Sequence, residues 1–359
     1  MGFAVVCDGS LNDERGAMIF ERVVTGGCLS YLVGCPRTLA GAIIDPENSQ
    51  IDRYKALAGS HGLNIRYLID THTHADHFSA SKQLATIFAA TIVMHQSSPA
   101  PHASLRLDDD DMLIVGDLRI RALHTPGHTR DSMCLVVEDR VFTGDTLLIG
   151  GTGRTDLPTG DPDQLYDSLF DKLLALDQTL LVYPAHDYKG RSHSSLAVEI
   201  AENPRLQKRD RADFTRMMRE LNLTAPTHLT EALRTNMTGG QTVSQMLAEA
   251  AAEVPFIGLS ELNDRLVSRP NDLLVLDVRE ESAFRAGHIR GARHLPRGQL
   301  ELRVNEEIPD PTLRIVVYCE FGKISTLAAA TLRRLGYMRA TAVDGGMKAW
   351  REGGFPIEA

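Results

Sequence analysis

The stretch THTHADH at residues 71–77 places three imidazoles and a carboxylate in one short segment. The apolar run IRYLID (65–70) precedes it and predicts a strand, and SASKQLATIFAA (79–90) follows it and predicts a helix. Open α/β sheets bind ligands beyond the carboxyl ends of their strands, and neutral imidazole is the commonest metal ligand in proteins. The stretch therefore predicts a metal site at a sheet edge, rather than a run of exposed polar residues.

Later loops must supply further ligands if one metal site is to be completed. Three segments, HTPGHT (124–129), FTGDTL (142–147) and YPAHDY (183–188), each follow an apolar run that predicts a strand. Because each loop begins where a strand ends, we expect them to meet at the same sheet edge. The candidate ligands are His72, His74, Asp76, His77, His128, Asp145 and His186.

This ordered set of motifs, over about residues 15–240, resembles the metallo-β-lactamase superfamily. The resemblance implies an α/β fold of the αββα sandwich type. In two-metal members, one metal is bound at the positions matching His72, His74 and His128, and the other at those matching Asp76, His77 and His186, with the position of Asp145 bridging. Such sites, usually zinc, generate a hydroxide that attacks an ester or amide. A two-zinc thioester hydrolase similar to glyoxalase II therefore stays open.

A second group of motifs is similar to those of the persulfide dioxygenases: GTGRTDLPTG (151–160), YPAHDYKG (183–190), NPRL (203–206), LNLTAP (221–226) and NMTGG (236–240). The resemblance implies one Fe(II) per chain, held by His72, His128 and Asp145. His74, Asp76, His77 and His186 then form an outer shell. Two histidines and one carboxylate leave about three octahedral positions open for a persulfide and dioxygen, whereas zinc has no redox states to offer. Spacing alone does not decide between one metal and two.

The reaction implied by this resemblance is the iron-dependent oxidation of glutathione persulfide by dioxygen to sulfite and glutathione. The resemblance also implies substrate-binding positions at Arg154, Asp156, Tyr188 and Arg205. Arg154 and Asp156 would serve equally well as an ion pair that braces the metal loop. Thr152 stands where members of the family often carry a cysteine, which puts in doubt any role for a thiol there.

The segment YCEFGKIST (318–326) follows the apolar run RIVVY and opens a predicted helix. Cys319 therefore lies at a strand-to-helix turn. Backbone N–H groups and the positive end of a helix dipole stabilise a thiolate there and bind anions. The pattern predicts a nucleophilic cysteine rather than a structural one.

The surrounding motifs LDVRE (276–280), FRAGHIRGARHLP (284–296) and VDGGMKAW (343–350) resemble rhodanese domains over about residues 255–359. This implies a second α/β domain with a parallel sheet and thiosulfate sulfurtransferase activity. Cys319 would move sulfane sulfur between thiosulfate or sulfite and glutathione or its persulfide. Asp277 and Arg279 match a supporting pair. The predicted loop residues are Glu320, Phe321, Gly322, Lys323, Ile324 and Ser325.

One position of this loop departs from the common CxxGxRS pattern. Ile324 stands where that pattern has arginine, and Lys323 is only a point charge that does not reproduce a bidentate contact. Thiosulfate binding is therefore expected to be weak, or to depend on Lys323 and on backbone amides.

Composition sets the remaining expectations. We predict a first domain at residues 1–253, with a linker at about 240–253, and a second at 254–359.

The five cysteines are scattered without a CxxC pair, which favours free thiols, a reducing compartment and a cytoplasmic location. A net charge of −9 argues against nucleic-acid binding. No long apolar run predicts a membrane span, and the amino terminus does not resemble a secretory signal. The oligomeric state stays open, a homodimer included.

Overall fold

The computed structural model describes residues 17–221, 223–224, 229–269 and 272–358. Two compact units divide the chain after Gly240, and each is described by itself. Cys7, the amino-terminal segment and part of the 221–226 motif lie outside the described residues. Among the helices of the described ranges, none is both long enough and apolar enough to cross a bilayer.

Two six-stranded mixed sheets form the framework of the first unit. The first sheet has the spatial order Ile19–Thr25, Cys28–Gly34, Ala40–Ile44, Asn64–Ile69, Thr91–His95 and Leu105–Leu107. The second has the order Ser194–Ser195, Leu181–Pro184, Arg140–Gly144, Met133–Val137, Leu118–His124 and Met112–Val115. A short hairpin, Leu147–Leu148 with Gly151–Thr152, follows the third of these strands in the second sheet.

Helices cover the outer faces of both sheets. Ile69 and Val93 of the first sheet share one apolar cluster with Leu135 and Phe142 of the second, so the inner faces pack together. Separate clusters join each outer face to its helices. This layering confirms the predicted αββα sandwich. The α-helices of this unit are Ile51–Ser60, Ser81–Phe88, Pro162–Tyr166, Leu196–Glu202, Arg211–Arg219 and Leu229–Thr238.

The predicted ligand loops all begin at the carboxyl ends of strands. The 71–77 stretch follows the strand Asn64–Ile69, and the loop that carries His128 follows Leu118–His124. Asp145 and His186 come directly after Arg140–Gly144 and Leu181–Pro184, which pair in parallel. Parallel pairing brings both carboxyl ends to one edge, so these loops meet there.

A glycine fixes the loop that carries His128. Gly127 has φ +135°, a conformation that side chains rarely adopt. A Cβ at this position would lie 2.3 Å from the backbone of Leu165. The helix Pro162–Tyr166 therefore packs directly on the loop, with no space for a methyl group.

An asparagine from a distant helix holds the histidine stretch. The amide Nδ2 of Asn236 donates to the carbonyl oxygens of His74, at 2.9 Å, and His77, at 2.8 Å. Its Oδ1 accepts from the backbone N–H of Ser79 at 3.1 Å. One buried side chain thus satisfies three backbone groups of a loop that has no regular secondary structure to do so.

A five-stranded sheet lies at the centre of the second unit. Its spatial order is Phe256–Ile257, Thr341–Val343, Ile315–Tyr318, Leu274–Asp277 and Arg293–His294, and all its pairs are parallel. Apolar clusters lie on both faces of this sheet, as the predicted α/β class requires. A two-stranded sheet joins His288–Ile289 to Ile357–Glu358. The α-helices are Val243–Glu253, Leu259–Ser268, Glu281–Arg285, Leu300–Glu307, Lys323–Arg334 and Gly346–Glu352.

The segment expected to be a linker at about 240–253 is mostly helix. Val243–Glu253 begins with a capping box in which Thr242 and Gln245 exchange side-chain and backbone hydrogen bonds. Its Ala250, together with Val254, is buried in the core of the second unit. The compact units accordingly divide before this helix, at Gly240, and not at Val254 as predicted.

Gly127→Ala tests whether this close approach positions His128. The added methyl must displace the backbone of Leu165, so we expect the free energy of unfolding to fall by about 2 kcal/mol or more. Metal affinity should fall as well. Gly26→Ala is the control, because Gly26 also has positive φ but nothing lies within 4 Å of its Cβ position; its cost should stay at about 1 kcal/mol. Equal losses in urea unfolding would contradict the packing argument.

Asn236→Leu tests the brace on the histidine stretch. Leucine has a similar size but leaves two buried carbonyl oxygens without a donor, at a cost of about 1–3 kcal/mol each. We expect a lower midpoint of thermal unfolding and weaker metal retention during dialysis against a chelator. Thr230→Val, an exposed change on the same helix, should alter neither. Unchanged metal retention in the Asn236 variant would refute the assignment.

Candidate metal centre and cysteine loop

Three predicted ligands converge in the first unit. The Nε2 atoms of His72 and His128 lie 4.0 Å and 3.5 Å from Oδ2 of Asp145. All three residues are buried, and one donor atom of each lies within 4.8 Å of the others. Two imidazoles and a carboxylate on one face form a donor set typical of Fe(II) sites with open coordination positions.

Hydrogen bonds on the far side of each imidazole fix its orientation. Nδ1 of His72 lies 2.9 Å from Oγ1 of Thr71, which itself donates to Asp45. Nδ1 of His128 lies 2.8 Å from the carbonyl oxygen of Arg154. These partners accept a hydrogen bond from the Nδ1–H group, which leaves the lone pair of each ring on the Nε2 atom that faces Asp145.

The donor set fits a cation by its charge and by one unsatisfied atom. Nε2 of His72 is buried and has no hydrogen-bond partner among the described residues. Burial, with the neighbouring His74, lowers the pKa of His72 to about 3, so the ring is neutral and can donate its lone pair. Burial alone would raise the pKa of Asp145, but attraction to His186 lowers it well below its usual range.

His186 bridges two carboxylates. Its Nδ1 lies 2.6 Å from Asp145 and its Nε2 lies 2.7 Å from Asp76. Burial opposes a charge on this ring, but Asp145 and Asp76 raise the pKa of His186 well above its usual value. An imidazolium donates from both nitrogens. In this arrangement His186 orients Asp145.

A second group of possible ligands contains a cysteine that the sequence motifs did not single out. Cys28 lies with Asp76, His77 and His186, and their donor atoms fall within 4.8 Å of one another. Its Sγ is 3.5 Å from Asp76 and 3.8 Å from Nδ1 of His77. Nε2 of His77 is buried and unpartnered among the described residues. This group retains donor atoms that a second metal could use.

His74 points into a different set of acids. Its Nε2 lies 3.2 Å from Oδ1 of Asp45, and a third possible group joins it to Asp45 and Asp70. Burial, then the charge of Asp45, raises the pKa of Asp70 to about 7, and burial lowers the pKa of His74 well below its usual value. This cluster is fully buried and lies next to the three converging ligands.

Arg154 and Asp156 form an ion pair within the predicted substrate loop. Nε of Arg154 lies 2.5 Å from Oδ1 of Asp156, and Nη2 lies 2.6 Å from Oδ2. The guanidinium also donates to the carbonyl oxygens of Leu223 and Thr224. The pair uses most of its donors within the chain, and a role in substrate binding stays a prediction.

The other two predicted substrate residues, Tyr188 and Arg205, form fewer polar contacts within the described part of the chain than Arg154 and Asp156 do. Tyr188 is 78% exposed and its ring stacks over that of His186, with centroids 5.9 Å apart. Arg205 donates through Nη1 to the carbonyl oxygen and hydroxyl of Thr152, at 2.7 Å and 2.9 Å. Within the described ranges no carboxylate forms an ion pair with Arg205, and burial lowers its pKa. Arg205 is therefore a half-buried cation without a counter-ion from this part of the chain.

In the second unit, Cys319 lies where the strand Ile315–Tyr318 turns into the helix Lys323–Arg334. The backbone N–H of Ser325 donates to its Sγ at 3.2 Å. Gly322 has φ +85° and begins the helix, and a Cβ on Gly346 would lie 2.5 Å from the carbonyl oxygen of Cys319. The predicted loop, residues 319–325, thus forms a tight cradle around the sulfur.

Two arginines hold the residue that follows the cysteine. Buried Arg279 forms a bidentate pair with Asp277 and also reaches Oε2 of Glu320 at 3.0 Å. Arg351 pairs with the other carboxylate oxygen of Glu320. Asp277 and Arg279 therefore support the loop through Glu320, and Glu320 links this pair to the helix Gly346–Glu352.

Reasoning from sequence missed residues that reach the sites from distant segments. Cys28, Asp45, Asn236 and Arg351 belong to no local ligand pattern. The NMTGG motif contains Asn236. Of these four residues, only Asn236 lies in a motif that could have prompted a search for a side chain that holds the loop. Cys28 meets His186 through an isolated bridge between distant strands, which no spacing reveals.

Comparisons with known proteins find relatives for both units of the chain. The metallo-beta-lactamase superfamily profile matches residues 23–186, and the rhodanese-like domain profile matches residues 259–353. The human protein named persulfide dioxygenase ETHE1, mitochondrial, is 34% identical over 213 residues, which are 59% of this chain and 84% of that protein. A protein of Schizosaccharomyces pombe named probable hydroxyacylglutathione hydrolase glo2 is 32% identical over 190 residues, 51% of this chain and 73% of that protein.

A solved structure gives the same relationship. The crystal structure of ETHE1 from Myxococcus xanthus has 40% sequence identity and a TM-score of 0.61, and it covers 62% of this chain and 100% of that chain. The chain therefore belongs to the persulfide dioxygenase family of the metallo-beta-lactamase superfamily and carries a C-terminal rhodanese domain.

Proposed function

We propose that the first domain oxidises glutathione persulfide with dioxygen and water to glutathione and sulfite, using one Fe(II) per chain. The observation that carries the proposal is the buried Nε2 of His72, which has no hydrogen-bond partner in the described part of the chain and faces Asp145 and His128. His72, His128 and Asp145 would hold the ion. Iron(II) supplies a redox-active centre with vacant positions for a persulfide sulfur and dioxygen.

The number of metal ions depends on whether His186 acts as a ligand. A second metal at Asp76, His77 and His186 would have to replace the contact between His186 and Asp76 and displace a proton from that ring. Two zinc ions with thioester hydrolysis are the second candidate. Cys28, Asp76 and His77 keep that candidate testable, because their donor atoms lie close together.

Arg205 supports a substrate with a carboxylate. Glutathione carries two carboxylates, and the chain as a whole is acidic, with a net charge of −9. A cation held by Thr152 and without an ion pair in the described ranges can bind one of them through charge-assisted hydrogen bonds. The exposed ring of Tyr188 would cover His186 on the solvent side.

The second domain is proposed as a sulfurtransferase that uses Cys319. It would exchange sulfane sulfur between thiosulfate or sulfite and glutathione or its persulfide, so sulfite from the first domain would be one of its substrates. Joining both domains in one chain raises the effective concentration of such a shared intermediate. A cytoplasmic location and a homodimer stay predictions.

Metal analysis combined with oxygen consumption tests this function. Anaerobically loaded protein should retain about one iron per chain and consume oxygen when glutathione persulfide is added. Asp145→Ala should lose both the metal and the oxygen uptake, because it removes the only charged ligand. Asp117→Asn, which removes only a surface ion pair with Arg37, should keep both. About two zinc ions per chain with rapid thioester hydrolysis and no oxygen uptake would establish the hydrolase instead.

Cys319→Ser separates the two activities. We expect it to abolish sulfur transfer from thiosulfate and to leave oxygen uptake with glutathione persulfide within about twofold of the wild type. Loss of oxygen uptake would show that the two chemistries are not separable. Sulfur transfer in a wild-type chain that never consumes oxygen would identify a sulfur carrier.

Arg205→Gln tests carboxylate recognition. A lost charge-assisted hydrogen bond of about 1.5–3 kcal/mol corresponds to an increase of about tenfold or more in KM for glutathione persulfide. The value of kcat should change little, because the metal ligands stay in place. Arg219→Gln, at an exposed ion pair with Asp163, serves as the control. A fall in kcat with unchanged KM would count against substrate binding by Arg205.

A further inference from the structure

The charges around Cys319 are unusual for a loop that is expected to bind a small dianion. Glu320 follows the nucleophile directly, and its Cα lies about 3.8 Å from that of Cys319 across the peptide bond. Its carboxylate pairs with both Arg279 and Arg351, while Arg279 also pairs with Asp277. Two arginines and two carboxylates cancel, so this cluster offers an incoming anion no net positive charge.

The rest of the loop supplies little positive charge to make up for the neutralised arginines. Lys323 is exposed and forms no ion pair within the described ranges. Phe321 and Ile324 are 66% and 51% exposed, so the rim of the cradle is apolar. Inside the cradle, the N–H of Ser325 already donates to Sγ of Cys319. The loop thus stabilises one negative charge on the sulfur of Cys319, next to the carboxylate of Glu320 and to apolar side chains.

We propose that Glu320 determines the donor preference of the rhodanese domain: it disfavours thiosulfate and favours persulfides of organic thiols. This inference rests on the proposed sulfurtransferase function of Cys319. Thiosulfate brings two negative charges within a few ångströms of the reacting sulfur. An organic persulfide brings one charge there, and any carboxylates lie several bonds away. Like charges at short range raise the energy of the dianion's approach.

Both donors react by the same balanced step. The Cys319 thiolate attacks the outer sulfur of the persulfide anion RS–S⁻, and a new S–S bond forms. The RS–S bond breaks with its electron pair leaving on the thiolate RS⁻, so Cys319 becomes a persulfide anion. With thiosulfate, the same attack on the sulfane sulfur expels sulfite and leaves Cys319 as a persulfide anion. No further oxidant or reductant is needed. Because Glu320 is the residue next to Cys319, its charge also slows attack by the sulfite dianion on the cysteine persulfide.

Glu320→Gln in the full-length, metal-loaded chain tests the preference. The change keeps the size of the side chain, removes one negative charge and leaves Arg279 and Arg351 with an excess positive charge. With cyanide as acceptor, we expect KM for thiosulfate to fall about three- to tenfold, and KM for glutathione persulfide to change less than twofold. Added salt should lower the wild-type KM for thiosulfate by screening the repulsion, and this dependence should weaken in the variant.

Two controls separate charge from structure. Glu320→Asp keeps the charge and should keep the wild-type donor preference, while Glu352→Gln removes a charge from the exposed end of a neighbouring helix and should leave both KM values unchanged. Equal shifts for the two donors, or no shift for thiosulfate in a folded Glu320→Gln variant, would overturn the inference while leaving the sulfurtransferase function intact. A wild-type chain that transfers sulfur from neither donor would overturn the function itself.

Discussion

The buried Nε2 of His72 is the constraint on which the first domain depends. A buried polar atom without a hydrogen-bond partner costs about 1–3 kcal/mol. Here the neighbouring residues of the described ranges fix the ring of His72 but offer its Nε2 no hydrogen bond. Thr71, backed by Asp45, fixes the far side of the ring, and a backbone carbonyl does the same for His128. The fold therefore bears this cost at the point where three donor atoms converge, and binding of a cation would recover it.

The one-metal and two-metal candidates differ in the role that they give to His186. All seven residues of the two-metal pattern are present. His186, however, contacts Asp145 through one ring nitrogen and Asp76 through the other, and these carboxylates raise its pKa well above the usual value. His77, whose Nδ1 lies 3.4 Å from Oδ2 of Asp76, adds a second imidazole to this group. Whatever the number of metals, the contact between His186 and Asp145 fixes the orientation of a proposed ligand.

The fold class and the converging ligands could be predicted because the evidence is local. Each ligand loop follows an apolar strand, and the carboxyl ends of such strands meet. Cys28 could not be predicted, because it reaches the site through a contact between distant segments. Asp45 does follow a strand, Ala40–Ile44, that pairs in parallel with Asn64–Ile69, but no histidine motif surrounds it to draw attention to it. Asp45 also has φ +51°, a strained conformation that tertiary contacts stabilise and no local pattern announces. The helix Val243–Glu253 was missed for a related reason: its alanine-rich sequence buries only Ala250, so its apolar periodicity is weak.

The two sites handle anionic sulfur compounds with opposite electrostatic arrangements. In the first domain, Arg205 has no counter-ion in the described ranges and is held by Thr152, and under the proposed function it binds a carboxylate of the substrate. In the second, Asp277 and Glu320 together neutralise Arg279 and Arg351 beside Cys319. A thiosulfate ion has no distant carboxylate for Arg205 and carries its full charge to Glu320. An organic persulfide such as glutathione persulfide meets both requirements, because its carboxylates are separated from its sulfur. Under the proposed function, the same separation of charge makes one class of molecule acceptable to both domains.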